Sequence, residues 1–132
     1  MNNKTIGNKF EQVLCEKLSE YGFWSHCMAM NKAGQPADII AVKNHKAYLI
    51  DAKVCSNNTF PLSRVEENQD LAMDLWKERG NGIGWFALKL GDEIYMVSHY
   101  VIKAYMKKQK SLSANEISEL GVPLERWAKK CK

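Results

Sequence analysis

Apolar positions along the chain fall into helical runs and strand-like runs with little between them. Phe10, Leu14, Leu18 and Tyr21 recur at three- and four-residue spacing with Val13 beside them. That pattern predicts a helix from about Lys4 to Tyr21, stopped by Gly22. Phe23 to Met30 has the character of a strand, and Asn31 to Pro36 that of a loop. Asp38 to Val42 and Ala47 to Lys53 form two further strands, apolar on both faces as central strands are when each side is covered. After a loop over Ser56 to Pro61, Ser63-Arg-Val-Glu66 matches a capping box and predicts a second helix to about Arg79, with Gly80 as its stop. Gly84 to Leu90 and Glu93 to Val97 pair around Gly91-Asp92. Ser98 caps a third helix through Lys110, and Ser113-Ala-Asn-Glu116 opens a shorter helical tail. The order α-β-β-β-α-β-β-α predicts an α/β fold, a mixed central sheet flanked by helices.

The turn between the two central strands fixes a juxtaposition. Lys43-Asn44-His45-Lys46 suits a tight hairpin, because Asn tolerates positive φ and His does so better than most residues. Counting outward from that turn sets Lys43 against Lys46, Val42 against Ala47 and, at the far end, Asp38 against Asp51. A four-residue loop on the same centre gives the same register. Opposed residues share a face with Cβ atoms about 4.5–5.5 Å apart, and Lys53, two residues beyond Asp51, projects from it too. Two carboxylates this close at the end of an apolar hairpin need a proton, a cation or an ammonium between them. An oxygen-rich site with open positions suits Mg²⁺ or Mn²⁺, which can lower the pKa of a bound water and shield a phosphodiester under attack. Lys53 can then orient the water or stabilise the transition state. Two further polar side chains interrupt apolar stripes. Glu11 aligns with Leu14, Cys15 and Leu18, and Gln69 with Val65, Ala72, Met73 and Trp76. Each needs a buried partner, and the Asp38–Asp51 pair can supply one.

Taken singly, these residues have plainer readings. About two acidic-x-Lys triplets are expected by chance at this composition. Asp51 and Lys53 can be an ion pair at a sheet edge, worth little, and Glu11 a solvated charge beside its stripe. For Gln69 a structural hydrogen bond or a partial role is favoured over direct metal ligation. The combination carries the weight: helix Glu, Asp at a strand start, Asp-x-Lys at the end of the paired strand, then a helix with an inward Gln.

That combination resembles the PD-(D/E)XK nuclease superfamily, through Gly7-Asn-Lys-Phe-Glu11, Pro36-Ala-Asp38-Ile-Ile-Ala, Tyr48-Leu-Ile-Asp51-Ala-Lys53 and Gln69. Within it the chain is most similar, over about residues 6 to 102, to the archaeal-type and phage Holliday junction resolvases. These share the Gly-x-x-x-Glu helix start, the Tyr-Gly-Phe turn and a Pro-Asp-hydrophobic strand. The resemblance implies that Asp38 and Asp51 ligate Mg²⁺, that the Ala52 carbonyl adds a ligand, that Glu11 joins directly or through water, and that Lys53 positions the nucleophilic water. It also implies a homodimer acting on four-way DNA junctions. Two departures stand out: Asp51 replaces the commoner Glu, and Ala37 is inserted between Pro36 and Asp38.

Bulk properties agree without deciding. The 132 residues fit a single domain, and 19 Lys and Arg against 15 acidic residues give a net charge of +4, which permits a polyanionic partner without requiring one. Seven lysines crowd the last quarter, so 103–132 is expected to be a helical basic extension. Lys103, Lys107 and Lys110 are placed on one helical face and, with Lys32 in the loop, are candidate phosphate contacts; a solvated face is the competing reading. No secretory pattern and no apolar run of the roughly 18 to 20 residues a membrane span needs are present. The expected location is therefore the cytosol of a bacterial cell or a phage-infected host. Cys15, Cys27, Cys55 and Cys131 form no C-x-x-C pair, which argues against zinc and for reduced thiols. His26, His45 and His99 are scattered, with no catalytic case for any of them. The readings that remain are a junction resolvase, another endonuclease on the same fold (restriction-like or nicking), and a DNA-binding module without chemistry.

Overall fold

The computed structural model describes residues 3–28 and 37–131. Lys32 and the whole of the expected 31–36 loop lie outside the described residues. Helix α1 spans Asn3–Glu20 and ends where Gly22 adopts φ +92°. Strand β1 is Trp24–Cys27, within the expected Phe23–Met30, whose last two residues lie outside the described residues. Strands β2 (Ile39–Lys43) and β3 (Lys46–Val54) pair antiparallel in the register counted from the sequence: Lys43 lies opposite Lys46 and Ile39 opposite Ile50. Asn44 and His45 both take positive φ, 52° and 67°, as a two-residue hairpin turn of this hand requires.

The next stretch departs from expectation. Thr59–Pro61 is a short strand, β4, and Leu62–Arg64 a 3-10 turn held by burial of Leu62 and Val65. Helix α2 is therefore Glu67–Trp76, capped by Glu66 and not by Ser63. The Glu66 side chain accepts from the backbone N–H of Gln69, and Gln69 Oε1 accepts from the Glu66 N–H at 3.3 Å. A turn of wider pitch, Lys77–Asn81, closes it, with Gly80 at φ +86°.

Strands β5 (Trp85–Leu90) and β6 (Glu93–Ser98) form the second antiparallel hairpin. Ser98 caps α3, its Oγ accepting from the Val101 N–H at 3.2 Å. Helix α3, however, is only His99–Met106; the expected continuation to Lys110 gives way to β7, Ser111–Ser113, which pairs with β4. The rest is α4 (Ala114–Leu120), capped by Ser113 as expected, then β8 (Val122–Pro123) and α5 (Leu124–Lys130). Residues 103–132, expected to be a helical basic extension, thus contribute two strands, and β8 joins the edge of the main sheet. Leu124, Trp127, Ala128 and Cys131 enter the core.

The main sheet has six strands in the order β1-β2-β3-β5-β6-β8, parallel only at β3–β5. It is the mixed sheet between helical layers that the element order predicts. Ile39, Ala41, Ile50 and Ala52 face α1 and α5 on one side, packing on Phe10, Leu14, Leu18 and Trp127. Leu49, Phe86, Leu88 and Val97 face the other, beneath Met73 of α2 and Ile102 of α3. The four cysteines are free thiols.

Candidate active site

Alternation along β3 sends Ile50 and Ala52 toward α1, and Leu49 and Asp51 toward α2. Asp51 is completely buried there. Its Oδ1 accepts from Gln69 Nε2 at 3.0 Å, across from the first turn of α2. Lys53 projects from the same face, its Nζ 3.2 Å from Asp51 Oδ2. Asp38 immediately precedes β2, and its Oδ2 accepts from the backbone N–H of Ala52 at 2.8 Å. The N–H and C=O of one strand residue point to the same neighbour, so the Ala52 carbonyl is also directed to the Asp38 side. Glu11 comes from α1, on the opposite layer, and reaches the end of β2 closely enough to share a hydrogen bond with Asp38. The five residues singled out as catalytic therefore meet at one end of the β2–β3 hairpin, supplied by two strands and two helices.

The electrostatics follow from crowding. Burial, then the Asp38 charge, raise the Asp51 carboxyl well above the usual carboxylate range, while the Lys53 ammonium opposes the shift. Glu11 is pushed to about 7, again by burial first and by Asp38 next. Asp51 Oδ2 is a buried oxygen whose near cation among the described residues is the Lys53 ammonium, 3.2 Å away. The Asp38 charge disfavours ionisation of both Glu11 and Asp51, and three carboxyl groups gathered so closely make a donor set that fits a divalent cation preferring oxygen. Asp38, Asp51, Glu11 and the Ala52 carbonyl are the groups able to hold it.

The expected phosphate contacts are less coherent. Lys103 is engaged, its Nζ 2.7 Å from Asp74 Oδ2. Lys107 follows the last residue of α3 and Lys110 lies beyond it, so the three do not share a helical face. Lys107 and Lys110 are exposed. Sequence reasoning missed a group that the structure forms between α2 and α3: Asp70, Asp74 and His99 have ligand atoms within 4.8 Å of one another. Lys103 supplies a cation to that group. The four-residue spacing of the two aspartates was a helical signal, but their partner comes from a helix about 30 positions away.

Comparison with known proteins agrees with this architecture. The solved structure of the Archaeoglobus fulgidus Hjc, a Holliday junction resolvase from an archaeal hyperthermophile, has the same fold. It superposes with a TM-score of 0.73 at 17% identity, over 92% of this chain and 99% of that one. No match is found among curated proteins. Residues 27–129 match the family model described as RecU, recombination protein U. That stretch runs from the end of β1 into α5, across Asp38, Asp51, Lys53 and Gln69, and the chain belongs to the RecU family.

Proposed function

We propose that this chain is a divalent-metal-dependent endonuclease that resolves four-way DNA junctions, working as a homodimer of a single nuclease domain. The observation that carries the chemistry is the meeting of Glu11, Asp38 and Asp51 with the Lys53 ammonium at the end of one hairpin. Membership of the RecU family and the fold shared with a Holliday junction resolvase support the choice of substrate.

Asp38, Asp51, Glu11 and the Ala52 carbonyl would hold Mg²⁺, with Mn²⁺ as a substitute. When bound, such a cation lowers the pKa of a water molecule and offsets charge building on the scissile phosphate. The protein's own groups do the rest. Asp38 is held by the Ala52 N–H and Asp51 by the Gln69 amide, so both carboxylates are oriented before substrate arrives. Lys53 brings the ammonium that can donate to the attacking water or to a non-bridging phosphate oxygen, stabilising the pentacovalent transition state. A twofold dimer would relate two such sites to the two equivalent strands of a junction. The proposed setting is DNA in the cytosol of a bacterial cell or phage-infected host; no helix of the described residues is long and apolar enough to cross a membrane.

The test is cleavage of a labelled four-way junction and of a linear duplex of the same sequence, with Mg²⁺ or Mn²⁺. Selective, paired nicking of the junction is expected. Equal rates on both substrates would replace the resolvase with a general endonuclease, and binding without cleavage would leave a DNA-binding module. Asp51→Asn is expected to lower cleavage at least a thousandfold while junction affinity stays within about threefold. It removes a metal ligand and leaves the phosphate contacts in place. Wild-type activity in that variant would remove the site assignment.

A further inference from the structure

His99 is 4% exposed, an uncommon setting for an imidazole, and it lies outside the carboxylate cluster. Its Nε2 stands 2.6 Å from Asp70 Oδ1, and Asp70 adjoins Gln69, the residue whose amide holds Asp51. The ring packs on Phe86 with centroids 6.2 Å apart, and Phe86 is the residue of β5 paired with Asp51 of β3. The contacts form a closed circuit: Asp51 to Gln69, along the chain to Asp70, across to His99, onto Phe86 and back to Asp51.

The circuit matters because of helix geometry. Successive side chains on an α-helix point about 100° apart. A single anchor at Gln69 would leave α2 free to roll about its axis. A second anchor a quarter-turn away, at Asp70, fixes the roll. A rotation of about 10° displaces a side-chain tip about 6 Å from the axis by about 1 Å, enough to lose a 3.0 Å hydrogen bond. Other restraints on α2 act elsewhere. Its C-terminal end passes into the irregular Lys77–Asn81 turn. Met73 seats against Gly84, where an added Cβ would come within 2.7 Å, which sets depth more than rotation. The Asp74–Lys103 pair is more than a third exposed at both side chains and contributes little. The His99 main chain is in turn anchored: its backbone N–H donates to the Gly84 carbonyl at 2.9 Å, and Ser98 caps its helix.

We propose that His99 is a positioning residue for the Asp51 site, clamping Asp70 so that the first turn of α2 keeps the Gln69 amide on Asp51 Oδ1. The inference rests on reading that cluster as the nuclease site, but its first test does not require activity. In metal-free protein, the Gln69 side-chain amide is followed by nitrogen–proton NMR in wild type, His99→Phe and Asp70→Asn. His99→Phe keeps an aromatic ring against Phe86 and loses the nitrogen. The Gln69 amide protons are expected to exchange with water at least tenfold faster in it. Asp70→Asn keeps an acceptor oxygen and is expected to match wild type. In cleavage assays at saturating Mg²⁺ and junction, His99→Phe is expected to lower the single-turnover rate about tenfold, with junction affinity within twofold.

A folded His99→Phe protein whose Gln69 amide exchanges at the wild-type rate would overturn the proposal. So would an unchanged cleavage rate in an active enzyme. Should His99→Phe fail to fold, Asp70→Ala removes the acceptor at a partly exposed position and is read in the same two ways. If wild type cleaves no DNA, the nuclease reading fails and the Gln69 amide still decides the positioning role.

Discussion

At Glu11 the requirements of folding and of the proposed chemistry oppose each other. Its carboxyl is raised to about 7 from an ordinary 4.5, first by burial and then by Asp38. Between those two values the folded chain binds a proton that the unfolded chain has released. Stability therefore falls as pH rises through that window, the reverse of the usual salt-bridged carboxylate. The shift of Asp51 has the same sign and the same leading cause. Metal-free protein is expected to melt at a lower temperature at pH 8 than at pH 5.5. Added Mg²⁺ should raise the melting temperature at pH 8 and leave it nearly unchanged at pH 5.5, where protons already neutralise the site. Thermal melts at the two pH values, with and without Mg²⁺, check this. A melting temperature that rises from pH 5.5 to 8 without metal would show that the carboxyl cluster is not under charge stress.

At the scale of elements, what the sequence made legible is local. The β2–β3 register followed from a two-residue turn by counting, because an antiparallel hairpin leaves no freedom once the turn is placed. Gln69 was visible because a polar residue broke an apolar stripe. The α2 cap lies three residues beyond the one the pattern indicates: Ser63 matches the capping pattern, but burial of Leu62 and Val65 pins that turn, and Glu66 with Gln69 completes the box. Strands β4, β7 and β8 were not legible, since each is two or three residues long and its partner lies far along the chain. The Asp70–His99 contact was hidden for the same reason. Helix α5 shows the energetic consequence. Trp127, 4% exposed, stacks on Phe23 with centroids 5.6 Å apart and meets Tyr48 and Trp85 edge-on at 5.3 and 5.6 Å. Trp127→Ala is expected to cost about 3–5 kcal/mol, a large share of the stability of a domain this size. Denaturant unfolding measures it. A loss below about 1 kcal/mol would mean that the C-terminal segment is an appendage after all.

For the whole molecule, the question is how a net charge of +4 engages a polyanion when part of the basic tail is committed elsewhere. The Lys103 ammonium is held by Asp74 and that of Lys129 by Glu125, so neither is a fully available phosphate contact. Lys107 and Lys110 differ: both are exposed, they flank the turn between α3 and β7, and no ion pair among the described residues involves either. Each phosphate that a lysine neutralises releases condensed counterions, so the logarithm of affinity falls against the logarithm of salt with a slope of about 0.9 per contact on duplex DNA. Changing both residues to Gln is expected to weaken junction binding and flatten that slope by about one to two, while the single-turnover rate at saturating protein stays within twofold. In the proposed symmetric dimer, recognition of junction shape would not depend on these two charges, so preference for a junction over a duplex should survive the loss in affinity. Titrations of junction and duplex at several salt concentrations separate the outcomes. An unchanged slope would make Lys107 and Lys110 a solvated face, and the basic path for DNA would then have to be sought beside the hairpin that carries Asp51.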